Sequence, residues 1–261
     1  MMQITEKHYL IVLGGIVLFV TMASLTFFRL RNRFLSVPLP PATPYVALPA
    51  SKDPTSASPT SALLEAPAVD AILPAEVNLK IPFTSQAPHQ NWDLPYKEFC
   101  EEASILMAVN YVNNQPILGP DDADAKLLAI KNFEEKNLGF HEDTNAEDTA
   151  KIMREFYHLE KVEIFNNPTA KDIKKALASG KAVIAPFAGR ELGNPNYHQP
   201  GPLYHMLVIK GYRENGDFIT NDPGTKKGAD FIYKEKVIMD AIHDWNDGDV
   251  NNGKKVVIIV G

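Results

Sequence analysis

The sequence predicts an α+β domain in which helices pack against an antiparallel sheet, and two observations carry this prediction. Apolar residues recur at helical spacing in the first half of residues 77–261, whereas short apolar segments separated by Gly-containing turns fill the last third. Because the helices come first and the strands follow, this order favours an antiparallel sheet over an alternating, doubly wound parallel fold.

Helices are predicted at four places. Residues 96–112 follow Pro95, which suits a helix start, and present an apolar face made of Phe99, Ala103, Leu106, Met107 and Tyr111. Residues 121–137 open with acidic side chains, which favour a helix N-terminus, and residues 147–157 form the third helix. A fourth, short helix over 169–177 ends at Ser179 and Gly180.

The predicted strands are short. Residues 79–83 read as a strand or extended arm, and residues 162–165 form a second strand. Residues 182–187 are continuously apolar, as expected of a buried strand. Residues 205–212 and 217–221 are joined by a turn at Asn215 and Gly216, and strands over 231–233 and 255–260 complete the sheet.

The segment before this domain contains a predicted membrane anchor. Residues 1–8 form a short tail, and residues 9–28 carry no charge over a length that, at about 1.5 Å per residue, matches the hydrocarbon core of a bilayer. A signal peptide is the competing interpretation, but its apolar core usually has only about 7–15 residues. We therefore expect one retained transmembrane helix, with the lipid bilayer as its partner.

The side of the membrane stays open. Arg29, Arg31 and Arg33 follow the apolar segment, which favours a cytoplasmic C-terminal side. Residues 29–76 are rich in Pro, Ala, Ser and Thr and are predicted to form a disordered linker, because they contain too little apolar surface to fold. Such stalk-like linkers favour the extracytoplasmic side instead.

Composition narrows the possible functions of residues 77–261, which are enough for one domain with a single core. The net charge of −6 and the pI of about 5.7 argue against a nucleic-acid partner. A single cysteine excludes an intrachain disulfide and a CxxC metal site. We expect neither a metal nor an organic cofactor, and the sequence indicates no oligomeric state.

That single cysteine, Cys100, is a candidate nucleophile. It lies at the start of the predicted helix, where the positive end of the helix dipole favours the reactive thiolate. Free cysteines are nevertheless among the most buried residue types, and most of them only pack. Cys100 alone therefore leaves both interpretations open.

Two further residues extend the catalytic interpretation. Of the seven histidines, His205 stands out because it opens an apolar strand. The predicted hairpin returns the next strand so that Asp222, at its end, lies beside His205, where a carboxylate can orient an imidazole. A buried core histidine and ordinary turn chemistry at Asp222 are the alternatives.

The order of these residues resembles a known family. Residues 82–86 (PFTSQ), Cys100 before a helix, residues 205–212 (HMLVIKGY) and residues 218–223 (FITNDP) look like the C39-like cysteine peptidases of the papain-like superfamily. The resemblance covers residues 79–245 and implies a papain-like fold that hydrolyses peptide or amide bonds of a peptide or protein substrate. It implies that Cys100 is the nucleophile and His205 the general base. Asp222 would orient His205, and Gln86 would donate to the oxyanion beside the Cys100 amide.

One departure from the family bears on activity. The family often has Cys-Gly-Pro-Ala-Ser at the nucleophile, whereas this chain has Glu101 and Glu102 after Cys100. Carboxylates there gain from the helix dipole but oppose a neighbouring thiolate. Their side chains either face solvent or line a cleft that prefers basic substrates.

Other interpretations stay open beside the peptidase. The same fold can serve as an inactive module that binds peptide or cell-wall material, or as a thiol amidase or acyltransferase. Trp92 and Tyr204 flank the candidate residues in sequence and are candidates for shaping a substrate cleft. Residues 247–251 lack the spacing of a calcium loop and predict a turn, and the pair of His243 and Asp244 is interpreted as packing.

Overall fold

A computed structural model of the protein describes Met22 and residues 38–46 and 73–261. The chain divides into two units, Met1–Leu39 and Pro40–Gly261, and the second contains the folded domain. The predicted anchor over 9–28 lies outside the described residues except for Met22. Within the described part of the chain, no helix combines the length and the apolar character needed to cross a bilayer.

The core of the domain is one antiparallel sheet. The seven described strands are β1 (Val77–Asn78), β2 (Val162–Asn166), β3 (Ala182–Ala188), β4 (Tyr204–Tyr212), β5 (Phe218–Asn221), β6 (Phe231–Tyr233) and β7 (Val256–Val260). Their order is β2-β7-β3-β4-β5-β6, and β1 pairs with the end of β4. All neighbours run antiparallel, so the predicted α+β fold with an antiparallel sheet is confirmed.

Five helices surround the sheet in the described residues. They are α1 (Cys100–Val112), α2 (Pro120–Asn137), α3 (Ala146–Glu155), α4 (Ala170–Ala178) and α5 (Glu235–Ala241). Local chemistry fixes their starts, because Pro120 occupies the first turn of α2 and the Asn145 side chain accepts the Asp148 N–H of α3. At α4, Thr169 and Asp172 form a reciprocal capping box.

The helix that carries the cysteine is buried on every side. Each residue of α1 from Cys100 to Tyr111 is buried, and the helix packs against α2, β3 and β4. The helical spacing of its apolar residues predicts one buried face, but the surrounding elements enclose the polar positions as well. The preceding residues Tyr96–Glu98 form a separate 3-10 turn, so the helix begins later than the sequence predicts.

The first strand differs most from the sequence prediction. Val77 and Asn78 pair with β4, the Leu79 N–H donates to the Lys210 carbonyl of β4 at 2.8 Å, and residues 80–83 belong to no strand. The close approach needs Gly211, since a Cβ there would overlap the Val77 carbonyl. Helix α5 is not predicted either, because its seven residues are too few for helical spacing to be recognised.

Part of the predicted linker lies against the domain. The Thr43 N–H donates to the Asn78 carbonyl at 2.8 Å, and the Asn78 side-chain amide donates to the Pro40 carbonyl at 2.9 Å. The Tyr45 ring meets the Tyr111 ring edge to face at 5.3 Å. Residues 40–46 are therefore an extended arm that belongs to the folded unit.

Candidate active site

One cavity of about 1060 Å³ opens at the start of α1. Five of the six candidate site residues line it: Cys100, His205, Gln86, Trp92 and Tyr204. The sixth, Asp222, is fully buried behind His205. Residues far apart in sequence are thus brought to one place by the packing of α1 against β4.

Cys100 occupies the first position of α1 and is buried. Its Sγ donates a hydrogen bond to Glu101 Oε2 at 3.0 Å, while the nearby Met206 backbone on β4 acts to lower the pKa of the thiol. Burial, followed by the charge of Glu101 and this hydrogen bond, raises the pKa of the Cys100 thiol well above its ordinary value. The protonated form of the Cys100 thiol is therefore favoured.

His205 is held by a carboxylate. Its Nε2 lies 2.8 Å from Asp222 Oδ1, and both side chains are buried. The backbone N–H of Gly224 donates to the same oxygen at 3.0 Å. An ionised Asp222 accepts the Nε2–H, which leaves Nδ1 of the imidazole as the unprotonated nitrogen. This tautomer is the one that can accept a proton at Nδ1.

The second oxygen of Asp222 is held by three side chains. Asn194 Nδ2 donates to Oδ2 at 2.9 Å, the Tyr197 hydroxyl at 2.7 Å and the Tyr233 hydroxyl at 2.6 Å. Burial acts to raise the pKa of Asp222, but His205 and the two tyrosine hydrogen bonds bring it below its ordinary value. Sequence reasoning missed these three residues, because their positions show no spacing that relates them to Asp222.

The imidazole is also confined by shape. The Tyr197 ring meets the His205 ring edge to face, with centroids 5.4 Å apart. Gly224, in the loop after β5, lies so close to the ring that a Cβ there would be 2.8 Å from His205 Cε1. Both contacts fix the ring plane, so the direction of Nδ1 is determined by residues outside the predicted set.

Gln86 lies where the arm after residue 82 meets the start of α1. Its backbone N–H donates to the Pro223 carbonyl at 3.0 Å, and its Nε2 lies 3.0 Å from the Tyr96 carbonyl and 2.8 Å from the Lys97 carbonyl. The amide nitrogen is thereby held in the turn that leads into Cys100. To donate to an oxyanion, it must turn one N–H away from these carbonyls.

The two aromatic candidates occupy different positions. Trp92 is partly exposed and lines the mouth of the cavity. Tyr204 is buried, and its hydroxyl donates to Asp244 Oδ1 at 3.1 Å, an oxygen that also accepts the Ala146 N–H. Tyr204 and Asp244 thus join β4 to the start of α3, which makes Tyr204 a wall of the cavity.

No group of acidic, histidine or cysteine side chains suited to a metal ion occurs in the described residues.

The two glutamates after Cys100 point in different directions. Glu101 lines the cavity, whereas Glu102 is fully buried near Glu134 on α2, and the carboxyl oxygens of both residues are buried without a hydrogen-bond partner among the described residues. Burial and the neighbouring carboxyl groups raise the pKa of Glu102 well above its ordinary value, and burial raises the pKa of Glu134 to about 8. Neither glutamate faces solvent, so this half of the sequence-based alternative is wrong.

A buried thiol and a carboxylate-oriented imidazole in one cavity are the side chains that a cysteine hydrolase requires. Residues 78–247, more than half of the chain, match the model of the Peptidase_C39 like family. The chain therefore belongs to the C39-like peptidase family, and the predicted family resemblance is confirmed.

Similar solved structures were also found. One is described as a C39-like peptidase from Bacillus anthracis, at 13% identity and a TM-score of 0.48, over 71% of this chain and 97% of that chain. Another is a fragment of prointerpain A from Prevotella intermedia, at 14% identity and a TM-score of 0.35, over 53% of this chain and 42% of that chain. No curated protein matches the chain.

Proposed function

We propose that this protein is a cysteine peptidase that cleaves peptide or amide bonds through a thioester intermediate. The observation that carries the proposal is the His205–Asp222 contact at 2.8 Å, in which a buried carboxylate orients an imidazole that lines the same cavity as the Cys100 thiol. A purely structural histidine does not require a carboxylate held by Gly224 and three further side chains.

The proposed reaction begins with proton transfer from Cys100 Sγ to His205 Nδ1. The resulting thiolate attacks the substrate carbonyl carbon, and Asp222 stabilises the imidazolium. The negative charge on the carbonyl oxygen is stabilised by the Cys100 backbone N–H, which has no intrahelical acceptor at this helix position, and by one N–H of Gln86. His205 then protonates the leaving amine as the C–N bond breaks. Water, deprotonated by His205, attacks the thioester and releases the acid and the thiol.

The membrane location belongs to the proposal as well. The uncharged residues 9–28 support a single-pass anchor that holds the peptidase domain at a bilayer. Residues 40–46 pack on the domain, so the part of the linker that can separate the domain from the anchor is shorter than residues 29–76.

The test uses the full chain with a mixture of N-blocked peptides and mass spectrometry of the products. We expect new N-termini with the wild-type protein, and their loss in both Cys100→Ala and His205→Ala. Cys100→Ala also removes the acyl-enzyme, whose mass is detected on the intact protein after acid quenching. Cleavage that persists in Cys100→Ala would overturn the proposal.

One observation favours a second candidate, a binding module without turnover. The Cys100 thiol is neutral and hydrogen-bonded to Glu101, which does not favour a preformed thiolate–imidazolium pair. Under this alternative, Cys100→Ser binds the same peptides as the wild type, and neither protein yields products. The acyl-enzyme measurement separates the two candidates.

A further inference from the structure

The wall of the cavity beside Cys100 is acidic. Glu98, Glu101 and Asp143 line the cavity together with the thiol, and they come from three different segments: the turn before α1, its first turn and the loop before α3. The fold thus brings carboxyl groups from separate parts of the sequence into the cavity that contains the Cys100 thiol.

One oxygen of the Glu101 carboxyl group lacks a hydrogen-bond partner among the described residues. The side chain is only 1% exposed, its Oε2 accepts from the Cys100 thiol at 3.0 Å, and its Oε1 has no hydrogen-bond donor among the described residues. The same cavity contains a second buried oxygen of this kind, Gln86 Oε1. Buried acceptors are almost always paired in native proteins, so both oxygens point to a ligand that brings hydrogen-bond donors.

Asp143 is crowded by like charges. It is half-buried in the left-handed backbone region with a φ of 51°, and no cation pairs with it in the described part of the chain. Burial, then the charges of Glu98 and Glu142, raises its pKa to about 6. The Glu98 carboxylate is already paired with Lys97 at 3.1 Å. Burial, with the charge of Asp143 adding to it, also raises the pKa of Glu101 well above its ordinary value, so a cation placed between Asp143 and Glu101 would favour the ionised form of both carboxyl groups.

Basic residues occur in the same cavity but at its exposed rim. Lys226 and Lys227 are solvent-exposed, and Lys226 Nζ lies 3.4 Å from Gln90 Oε1. Charges in solvent act weakly at a distance, because water and salt screen them, whereas the buried carboxyl group of Glu101 acts at contact with the nucleophile. The two charged regions can therefore serve different parts of one substrate.

We infer that Glu101 and Asp143 form a cation-binding subsite, and that the substrate carries an ammonium or guanidinium group on the residue next to the scissile bond. This inference rests on the proposed peptidase function and names its substrate class: peptides with lysine, arginine or another basic residue at that position. An ammonium group supplies three donors for the free carboxyl oxygens and offsets the charge that opposes thiolate formation at Cys100.

The test compares two peptide chloromethyl ketones on the full chain, one with lysine and one with norleucine at the residue that carries the ketone. The Cys100 thiolate attacks the chloromethyl carbon, chloride leaves, and the added mass is followed on the intact protein. We expect labelling by the lysine probe to be at least tenfold faster. Glu101→Gln and Asp143→Asn should each reduce this ratio towards one, whereas Glu142→Gln, which removes an exposed charge next to Asp143 but outside the cavity lining, should retain it.

The outcomes separate the inference from the proposed function. If both probes label the wild type at equal rates and this labelling is lost in His205→Ala, the peptidase proposal stands and the cation subsite is overturned. If the labelling rate of neither probe changes in His205→Ala, the peptidase proposal fails.

Charged methanethiosulfonates then still test the subsite. These reagents form a mixed disulfide with Cys100 and release methanesulfinate without catalysis. We then compare how strongly each protein prefers the cationic over the anionic reagent. The inference is overturned if Glu101→Gln and Asp143→Asn show the same preference as the wild type. It is supported if the preference falls in both of these variants and persists in Glu142→Gln.

Discussion

The Cys100 thiol donates a hydrogen bond to its sequence neighbour Glu101, with Sγ and Oε2 3.0 Å apart and both side chains buried. The helix start favours a thiolate by only about 0.3–1 kcal/mol. Burial can shift a pKa by as much as about 3–5 units in the opposite direction, and Glu101 adds to that shift. Burial and the carboxyl group therefore outweigh the dipole argument that the sequence suggests, and the resting thiol is protonated.

Glu101→Gln should activate the thiol. Burial raises the pKa of Glu101 well above its ordinary value, but once ionised its carboxylate opposes a thiolate at Cys100. The substitution keeps the shape of the side chain and removes this charge at every pH, so we expect the pKa of Cys100 to fall by about one unit and the rise of the iodoacetamide alkylation rate to shift to lower pH by the same amount. Rates measured against pH on the intact protein give the pKa directly. Glu102→Gln is the matched control, since its carboxyl group faces Glu134 and has the smaller effect on Cys100. An unchanged rate profile in Glu101→Gln would contradict the role assigned to this contact.

The relation between His205 and Asp222 was accessible from the sequence. Both residues lie at the open end of a predicted hairpin, and the structure pairs Val208 with Asn221 in that hairpin and places the two side chains 2.8 Å apart. Strand alternation and a Gly-containing turn are local properties, and local properties can be read from a sequence. The helices and strands that are long and regular were found within a few residues for the same reason.

The residues that hydrogen-bond to Asp222 could not be predicted from the sequence in this way. Tyr197 and Asn194 lie in an irregular loop and Tyr233 on β6, and only the folded chain brings their polar groups to one carboxylate. The burial of Glu102 near Glu134 could not be predicted either. Acidic residues near the ends of helices usually lie on solvated faces, so the sequence gives no sign that these two are buried. Contacts between distant segments depend on tertiary packing, which the pattern of one segment does not contain.

Tyr233→Phe should destabilise the protein and slow catalysis only moderately. The variant removes a hydrogen bond of 2.6 Å to a buried carboxylate, and bonds to charged groups contribute about 1.5–3 kcal/mol. Chemical denaturation should show a loss of that size. Activity should fall less than in Asp222→Ala, because Tyr197 and Asn194 still hold the carboxylate.

Tyr212→Phe provides the matched control for Tyr233→Phe. Its hydroxyl donates to the Pro74 carbonyl at 2.9 Å, which is a bond to an uncharged group. We expect a loss of only about 0.5–1.5 kcal/mol there. Equal losses in the two variants would argue against a charged, buried Asp222.

Gly224→Ala should reduce kcat through the position of the imidazole. An added Cβ would lie 2.8 Å from His205 Cε1 and 3.0 Å from Tyr197 Cε1, so the ring must move by several tenths of an ångström. Because proton transfer depends on the direction of Nδ1, we expect kcat to fall by roughly 10- to 100-fold with a smaller change in KM. Steady-state kinetics on a cleaved peptide measure both constants. Wild-type kcat in this variant would mean that His205 is not the proton acceptor.

Glu134→Gln should flatten the dependence of stability on pH. Folding raises the pKa of Glu134 from the ordinary 4.5 to about 8, chiefly through burial, so the folded protein keeps a proton that the unfolded chain releases. The associated stability is fully present below pH 4.5 and is lost as the pH rises to about 8, at up to about 1.4 kcal/mol per pH unit. Denaturant midpoints measured between pH 5 and pH 8 should therefore fall steeply in the wild type and less in Glu134→Gln, which keeps a neutral side chain beside Glu102 at every pH. Glu160→Gln removes a charge from an exposed position and should retain the wild-type slope. A wild-type slope in Glu134→Gln would show that the buried pair on α1 and α2 does not hold the proton, because no other change separates this variant from the native chain.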